Sequence, residues 1–480
     1  MMNKGRLFAG SCFSLISTSV AFGVITSNMD QFKEYFVLSN AQGGLIGGVT
    51  LWGFTISIFL LGPLVDAMGI KWQMRIAFLC HAIGTLLMAF ANGFQMLFAG
   101  GLMIALGNGA VEAACNPLVA TLFPDDKTTK LNRFHVWFPG GIVIGGLIAY
   151  LLDNYLYTSD GQEVLGLLAW QFKLLIVLIP TVIYGFLFLG QEFPKTERVQ
   201  SGVTFGGMFA AVLNPLFIVM FLCMGLTASL ELGPGRWMGT AMGGAMSFAG
   251  DNAGILVLVW GTGLMAVLRF FAGPVVHRLA PTGILVMSAI LGGLGLLLLS
   301  MAEAVGVIVL AATVFYVGVC YFWPTMLGFV SERLPKTGSL GLALMGGMGM
   351  AFVGLVTTPL MGSIGDRYMH QSLQEHRAEV VRVLEQSHDQ AAVDLMAGLD
   401  AAGELPVGDT ANALRNVVKA AESDALVDQA TALIEPADNF GMRWGFRWTS
   451  SAALPLILVF GILFFSIRRK GGYRAKQILE

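Results

Sequence analysis

The sequence predicts an all-α membrane protein whose twelve transmembrane helices form two pseudo-symmetric bundles of six. Three observations predict it. Hydrophobic residues make up 55% of the 480 positions and charged ones only 12%, whereas soluble domains carry about a quarter charged residues. Apolar runs of about 20 residues, the length that crosses roughly 30 Å of hydrocarbon, recur twelve times. Short motifs of the first half return at matching places in the second.

Spans 1 to 6 fall near residues 7–29, 41–65, 73–92, 94–122, 134–156 and 166–190. Spans 7 to 12 fall near 209–231, 249–272, 282–301, 303–330, 339–363 and 448–467. Lys4 and Arg6 precede the first run, and no small-residue cleavage site follows a short apolar core. That pattern predicts a retained helix and not a signal peptide. Sixty-one glycines suit a bundle in lipid, where helices associate by close packing of small residues. The five cysteines (Cys12, Cys80, Cys115, Cys223, Cys320) lie in apolar runs without metal-ligand spacing, so they predict core packing, with no metal and no disulfide framework. A net charge of -2 gives no sign of a nucleic-acid partner.

Orientation follows from the Lys/Arg bias of the short loops. One side collects Lys4, Arg6, Lys71, Arg75, Lys127, Lys130, Arg133, Lys195, Arg198, Arg278, Arg333, Lys336 and the tail cations from Arg468 to Lys476. The other side's short loops hold Lys33, Lys173 and Arg236. Both termini are therefore expected in the cytoplasm of a bacterial inner-membrane protein. The division reads as an N-terminal bundle (1–192), a cytoplasmic linker (193–208), spans 7 to 11 (209–363), an extracytoplasmic insert (364–446), and span 12 with a cytoplasmic tail (447–480). Within the insert, 378–384 and 413–419 have the periodicity of amphipathic helices, with a turn over 404–409.

The repeat is direct. Gly62-Pro63-Leu64-Val65 after span 2 reappears as Gly273-Pro274-Val275-Val276 after span 8, and Asn116-Pro117 in span 4 matches Trp323-Pro324 in span 10. Two such halves rocking about a midplane site would expose it to one side at a time.

Chemistry concentrates in span 4. Asn108, Glu112 and Asn116 stand at i, i+4 and i+8, one polar stripe on a helix. A carboxylate at that depth costs several kcal/mol in lipid, roughly 2.5 to 3.5 on insertion scales, so it should face a bundle interior or a water-filled cavity. Structural glue between helices is the competing explanation. Trp137, Trp260, Trp323 and Tyr316 offer aromatic faces to such a cavity, although each taken alone suits core or lipid better. Span 7 ends in Glu231-Leu232-Gly233-Pro234-Gly235-Arg236, where Glu231 either faces the cavity or pairs with Arg236 at the interface.

The loop with Gly62, Leu64, Asp66, Gly69 and Arg75 resembles the span 2 to 3 motif of the major facilitator superfamily, in which the acid closes an inner gate. Gly109, Glu112, Asn116 and Pro117, then Leu131-Asn132, together with Gln42-Gly43-Gly44, Arg269-Phe270 and Pro324-Thr325, resemble the fucose:proton symporter family, which includes glucose and galactose permeases. The resemblance covers both halves and not the insert. It implies the major facilitator fold and uptake of a neutral monosaccharide driven by a proton or sodium gradient, with Glu112 in sugar binding or coupling and Arg269 in the gating set. No cofactor is implied beyond the coupling ion. The partners it implies are the sugar and the bilayer, with the chain acting as a monomer.

One position departs from the family. Its proton symporters have an aspartate in span 1 where this chain has Thr26, so Glu112 alone, His135 at the start of span 5, or sodium are the coupling alternatives, beside uniport. His135 suits a structural hydrogen bond equally well. A major facilitator exporter of a drug or metabolite is the runner-up, although Pro139 to Gly146 does not fit the usual exporter pattern of span 5. A non-transporting sugar sensor that uses the insert as receptor is a third class. Enzyme motifs such as H-E-x-x-H, G-x-S-x-G or a P-loop do not occur.

Overall fold

The computed structural model describes residues 2–38, 40–157, 163–238, 241–242, 254–387, 405–406, 409–420, 423–476 and 478. Its chain is helical almost throughout, apart from a two-residue hairpin pairing Glu163–Val164 with Leu167–Leu168. Among the described residues, ten helices are long and apolar enough to cross a membrane. The fifth and eighth expected spans lie on shorter helices, Lys127–His135 followed by Trp137–Leu151 and Gly254–Phe270. Residues 249–253 of the expected eighth span, and 388–404, 407–408 and 421–422 of the insert, lie outside the described residues.

Span 1, Lys4–Ser27, starts where the Asn3 side chain accepts from the Arg6 amide, which satisfies one of the open donors of a helix N-terminus. Its Ser11, Ser14, Ser17, Thr18 and Ser19 are all buried. Lipid-depth hydroxyls must be satisfied inside the protein. Ser11, Ser14 and Thr18 donate back to carbonyls of their own helix, while Ser17 pairs with Thr181 of span 6 at 2.6 Å and Ser19 donates to the Trp137 carbonyl of span 5 at 3.1 Å. The polar face of span 1 thus holds the N-terminal bundle together.

Span 4, Phe94–Leu122, packs on spans 2 and 3 through small residues. A Cβ on Gly109 would stand 2.6 Å from the Phe54 carbonyl of span 2, and Ser57 Oγ donates to the Leu106 carbonyl at 2.6 Å. In the second half, Gly318 and Gly292 make the close contact between spans 9 and 10 that Gly100 and Gly84 make between spans 3 and 4. A single π-helical turn closes span 5, at Leu152–Leu156, and interrupts span 11, at Val353–Thr357, a further trace of the repeat.

Helix Thr358–Glu375 continues span 11 past residue 363, and Asp424–Ser450 leads into span 12. Between them stand the amphipathic helices Arg377–Ser387 and Asp409–Ala420. Leu373, Val380, Leu384, Leu414, Val417 and Ile434 belong to a core separate from that of the bundle. The insert therefore grows out of spans 11 and 12 as continuous helix.

Candidate functional site

Two polar assemblies build the site, one at mid-depth and one at the end of the bundle that bears the termini. At mid-depth, Glu112 Oε2 accepts from Asn116 Nδ2 at 2.6 Å, and Asn116 Oδ1 meets His135 Nε2 at 3.0 Å. An amide oxygen only accepts, so His135 carries a proton on Nε2. Its Nδ1 lies 4.0 Å from Glu112 Oε1. The i, i+4 spacing placed Glu and Asn on one face, and span 5 brings the histidine to them.

Arg269 joins this group to the other half. It is 2% exposed, the largest fully buried side chain among the described residues, and all three of its nitrogens are engaged. Nη2 donates to Glu231 Oε1 at 2.5 Å, Nε to the Cys320 carbonyl at 2.5 Å, and Nη1 to the His135 carbonyl at 3.0 Å. The other oxygen of Glu231 accepts from the Trp323 amide at 3.1 Å. The sequence explains why those two carbonyls are open. Proline has no N–H to give the carbonyl four residues before it; Pro139 leaves the His135 oxygen free and Pro324 leaves the Cys320 oxygen free. One guanidinium collects both, one from each half.

The expected stripe on span 4 is divided. Asn108 turns away from Glu112, its Oδ1 meeting His81 Nε2 at 2.9 Å, while His81 Nδ1 meets the Tyr184 hydroxyl at 3.1 Å. This chain is buried among spans 3, 4 and 6, and the sequence reading missed both His81 and Tyr184. Trp323 is buried with its ring against Gly349, and Tyr316 is buried against Gly261. The Tyr316 hydroxyl has no hydrogen-bond partner among the described residues. Trp137 is half-buried against a core of the N-terminal half. Trp260 does not join the network: it is 51% exposed, and its Nε1 donates to Thr313 Oγ1 at 3.1 Å. Thr26 is exposed near the far end of span 1 and donates to the Phe22 carbonyl of its own helix. Glu231 pairs with Arg269, a partner that neither reading of its span named.

At the terminus-bearing end, the Asp66 carboxyl is buried and accepts from Arg198 Nε at 2.5 Å, Thr196 Oγ1 at 2.5 Å and Ser339 Oγ at 3.0 Å. Gly69 makes the turn behind it at φ 82°, a conformation that favours glycine. Gly62 lies against span 11, where a Cβ would clash with Ala343. Arg75 stands apart from this cluster, exposed over the Trp72 ring at 4.6 Å. The basic partner of Asp66 comes from the linker, because Arg198 reaches it from helix Glu197–Gln200. Nearby, the Thr128 amide and hydroxyl donate to Glu332 Oε1 at 3.0 and 2.6 Å, and Lys127 pairs with Glu197 at 2.5 Å. Span 2 is thus fastened to span 11, and span 5 to span 10, at one end of the molecule.

A model of the Major Facilitator Superfamily matches residues 7–365, ending where the insert begins. The gentisate transporter of Corynebacterium glutamicum is 25% identical over 356 residues, 72% of this chain and 77% of that protein. The L-fucose-proton symporter of Escherichia coli K12 is 24% identical over 227 residues, 44% of this chain and about half (52%) of that protein. The crystal structure of FucP in the outward conformation superposes with a TM-score of 0.61 at 21% identity, over 75% of this chain and 92% of that one. With its helical bundle, its direct repeat and a family match through three quarters of its length, the chain belongs to the Major Facilitator Superfamily and is a transporter, not an enzyme.

Proposed function

We propose that the protein takes up a neutral monosaccharide together with a proton or sodium ion, by alternating access and as a monomer, in a bacterial inner membrane with both termini cytoplasmic. The observation that carries this reading is the buried chain Glu112–Asn116–His135, bridged by Arg269 to Glu231 in the opposite half. A sugar needs donors and acceptors together, and amide, imidazole and carboxyl groups supply both. The charge of Arg269 is paired with Glu231, so the site offers no idle cation to a carboxylate; a neutral solute fits it best. Glu112, with an amide and an imidazole around it, is the group we assign to coupling, in the absence of an acid at Thr26. The fastened terminus-bearing end supports a state closed to the cytoplasm, with the insert a solvated cap on the opposite face. Likeness to the L-fucose-proton symporter supports the substrate class.

A second reading, uptake of a small organic acid, is favoured by likeness to the gentisate transporter over 72% of this chain. It requires the substrate's carboxylate to displace Glu231 from Arg269. Proteoliposomes decide between the two. Labelled glucose, galactose, mannose, fucose and gentisate are offered under imposed proton or sodium gradients. Gradient-driven hexose accumulation is expected, with Glu112→Gln reducing accumulation more than counterflow. No hexose uptake under either gradient overturns the proposal, and uptake of gentisate alone establishes the second reading.

A further inference from the structure

Each half of the bundle carries an apolar groove between its third and sixth spans, and the two grooves are related by the repeat. The first, about 570 Å³, runs between spans 3 and 6 and is lined by Trp72, Phe78, Phe186 and Phe193, with Lys71 and Arg75 at its terminus-bearing mouth. The second, about 750 Å³, runs between spans 9 and 12 and is lined by Val286, Ile457, Leu458 and Phe465, with Arg469 and Lys470 at its mouth. From Ile457 to Lys470 the helix rises about 20 Å. No Asp or Glu lines either groove among the described residues. At the first mouth, Arg6 Nη2 also donates to the Phe186 and Leu189 carbonyls at 2.6 and 3.2 Å, adding a third cation.

Apolar residues facing lipid are the rule in a membrane protein. The Lys/Arg bias of the terminus-bearing side places cations there, but it does not require a pair of them at the mouth of each of two equivalent grooves. Nor is Arg75 used by the gate, since it lies exposed over Trp72 while Arg198 serves Asp66. We infer that these grooves are two binding sites for an anionic phospholipid, one per half, with acyl chains lying along the aromatic or aliphatic walls and the phosphate held by Lys71 and Arg75 or by Arg469 and Lys470. Charge complementarity selects this occupant, because basic pockets between helices at a membrane surface recognise anionic headgroups. Lipid in both sites braces the outer edge of each half, beside the contacts that fasten the halves.

Native mass spectrometry of the full chain in detergent, with phosphatidylglycerol or phosphatidylcholine added, tests the inference. Two tightly retained phosphatidylglycerols and no retained phosphatidylcholine are expected. Each surface cation contributes about fivefold to anionic-lipid affinity, so Lys71→Gln/Arg75→Gln and Arg469→Gln/Lys470→Gln should each weaken one site by about thirtyfold. Gly461 lines the second groove and borders open space, so Gly461→Leu should fill that groove and expel its lipid with both cations intact. Lys336→Gln removes an exposed cation that lines neither groove, and both lipids should remain. In the unsubstituted protein, a photoreactive phosphatidylglycerol should label 71–79, 182–193 and 457–470. Equal retention of the two lipids, or groove variants at Lys71/Arg75, Arg469/Lys470 and Gly461 that retain as much as the parent, would mean annular lipid only and overturn the inference.

Discussion

Arg269 is the residue on which the mid-depth assembly depends, and the cost of removing it can be divided. Arg269→Met deletes a cation 2.5 Å from Glu231 and 2.5 to 3.0 Å from two carbonyls that their own helices cannot satisfy. Breaking a buried ion pair by removing one partner costs about 3–5 kcal/mol, because the survivor is left charged and unpaired. Each orphaned carbonyl adds up to about 1–3 kcal/mol, less where the helix relaxes. Replacing both ions by apolar residues of similar volume removes the first cost and not the second. Arg269→Met/Glu231→Leu should therefore be more stable than Arg269→Met by about 3 kcal/mol or more. Adding Pro139→Ala to that double variant supplies an N–H for the His135 carbonyl and should recover about 1 kcal/mol more. Thermal unfolding in detergent, followed by intrinsic fluorescence, measures the series, and transport should be lost in all of its members. Equal unfolding temperatures for Arg269→Met and the double variant would refute the coupling. A triple variant no more stable than the double would refute the account of the proline-freed carbonyls.

Other expectations are smaller in scope. Asp66→Asn weakens the hydrogen bonds from Arg198, Thr196 and Ser339 and should raise the reactivity of a cysteine placed at Ala343 with a thiol reagent applied from the terminus-bearing side; unchanged reactivity would deny Asp66 a gating role. His81→Phe breaks the contacts with Asn108 and Tyr184 and should cost about 1–3 kcal/mol of stability while leaving substrate affinity within a few-fold of the parent, as read by ligand-induced thermal shift. Arg415→Ala removes a pair with Asp438 whose side chains are 43% and 28% exposed, so it should cost under about 1 kcal/mol, which melting of the same preparation would show.

How much of this was legible in the sequence follows from how local each signal is. Glu112 and Asn116 were found because i, i+4 spacing on a helix fixes their separation without help from the rest of the chain. Asn108 has the same spacing to Glu112, yet its partner is His81 on another helix, and nothing local announces that choice. Asp66 carried a recognisable loop, and a basic partner for it was expected. The identity of that partner was not, because Arg75 shares the loop while Arg198 comes from a linker 132 positions away with no pattern to mark it. Trp260 and Trp323 both lie within apolar runs, where a ring facing lipid and a ring facing the interior leave the same trace. Glu231 was recognised as a candidate, and its pairing with Arg269 was not, since the two belong to different helices.

The two prolines show how a sequence feature that reads as a defect becomes the site. A proline inside a helix usually counts as a break, and in lipid the freed carbonyl must be satisfied by another group. Here the freed oxygens of His135 and Cys320 belong to opposite halves, and a single arginine satisfies both. The halves are therefore linked at mid-depth by a group that is itself held by Glu231, one step from the Glu112–Asn116–His135 chain. If the halves separate at this depth during the transport cycle, Arg269 keeps the Cys320 carbonyl and Glu231, which are in its own half, and releases the His135 carbonyl. That release strips a hydrogen bond from the backbone of the residue whose imidazole contacts Asn116 and lies near Glu112. Events at the Glu112 carboxyl and the opening of the bundle then share one residue, His135, through its side chain on one side and its carbonyl on the other.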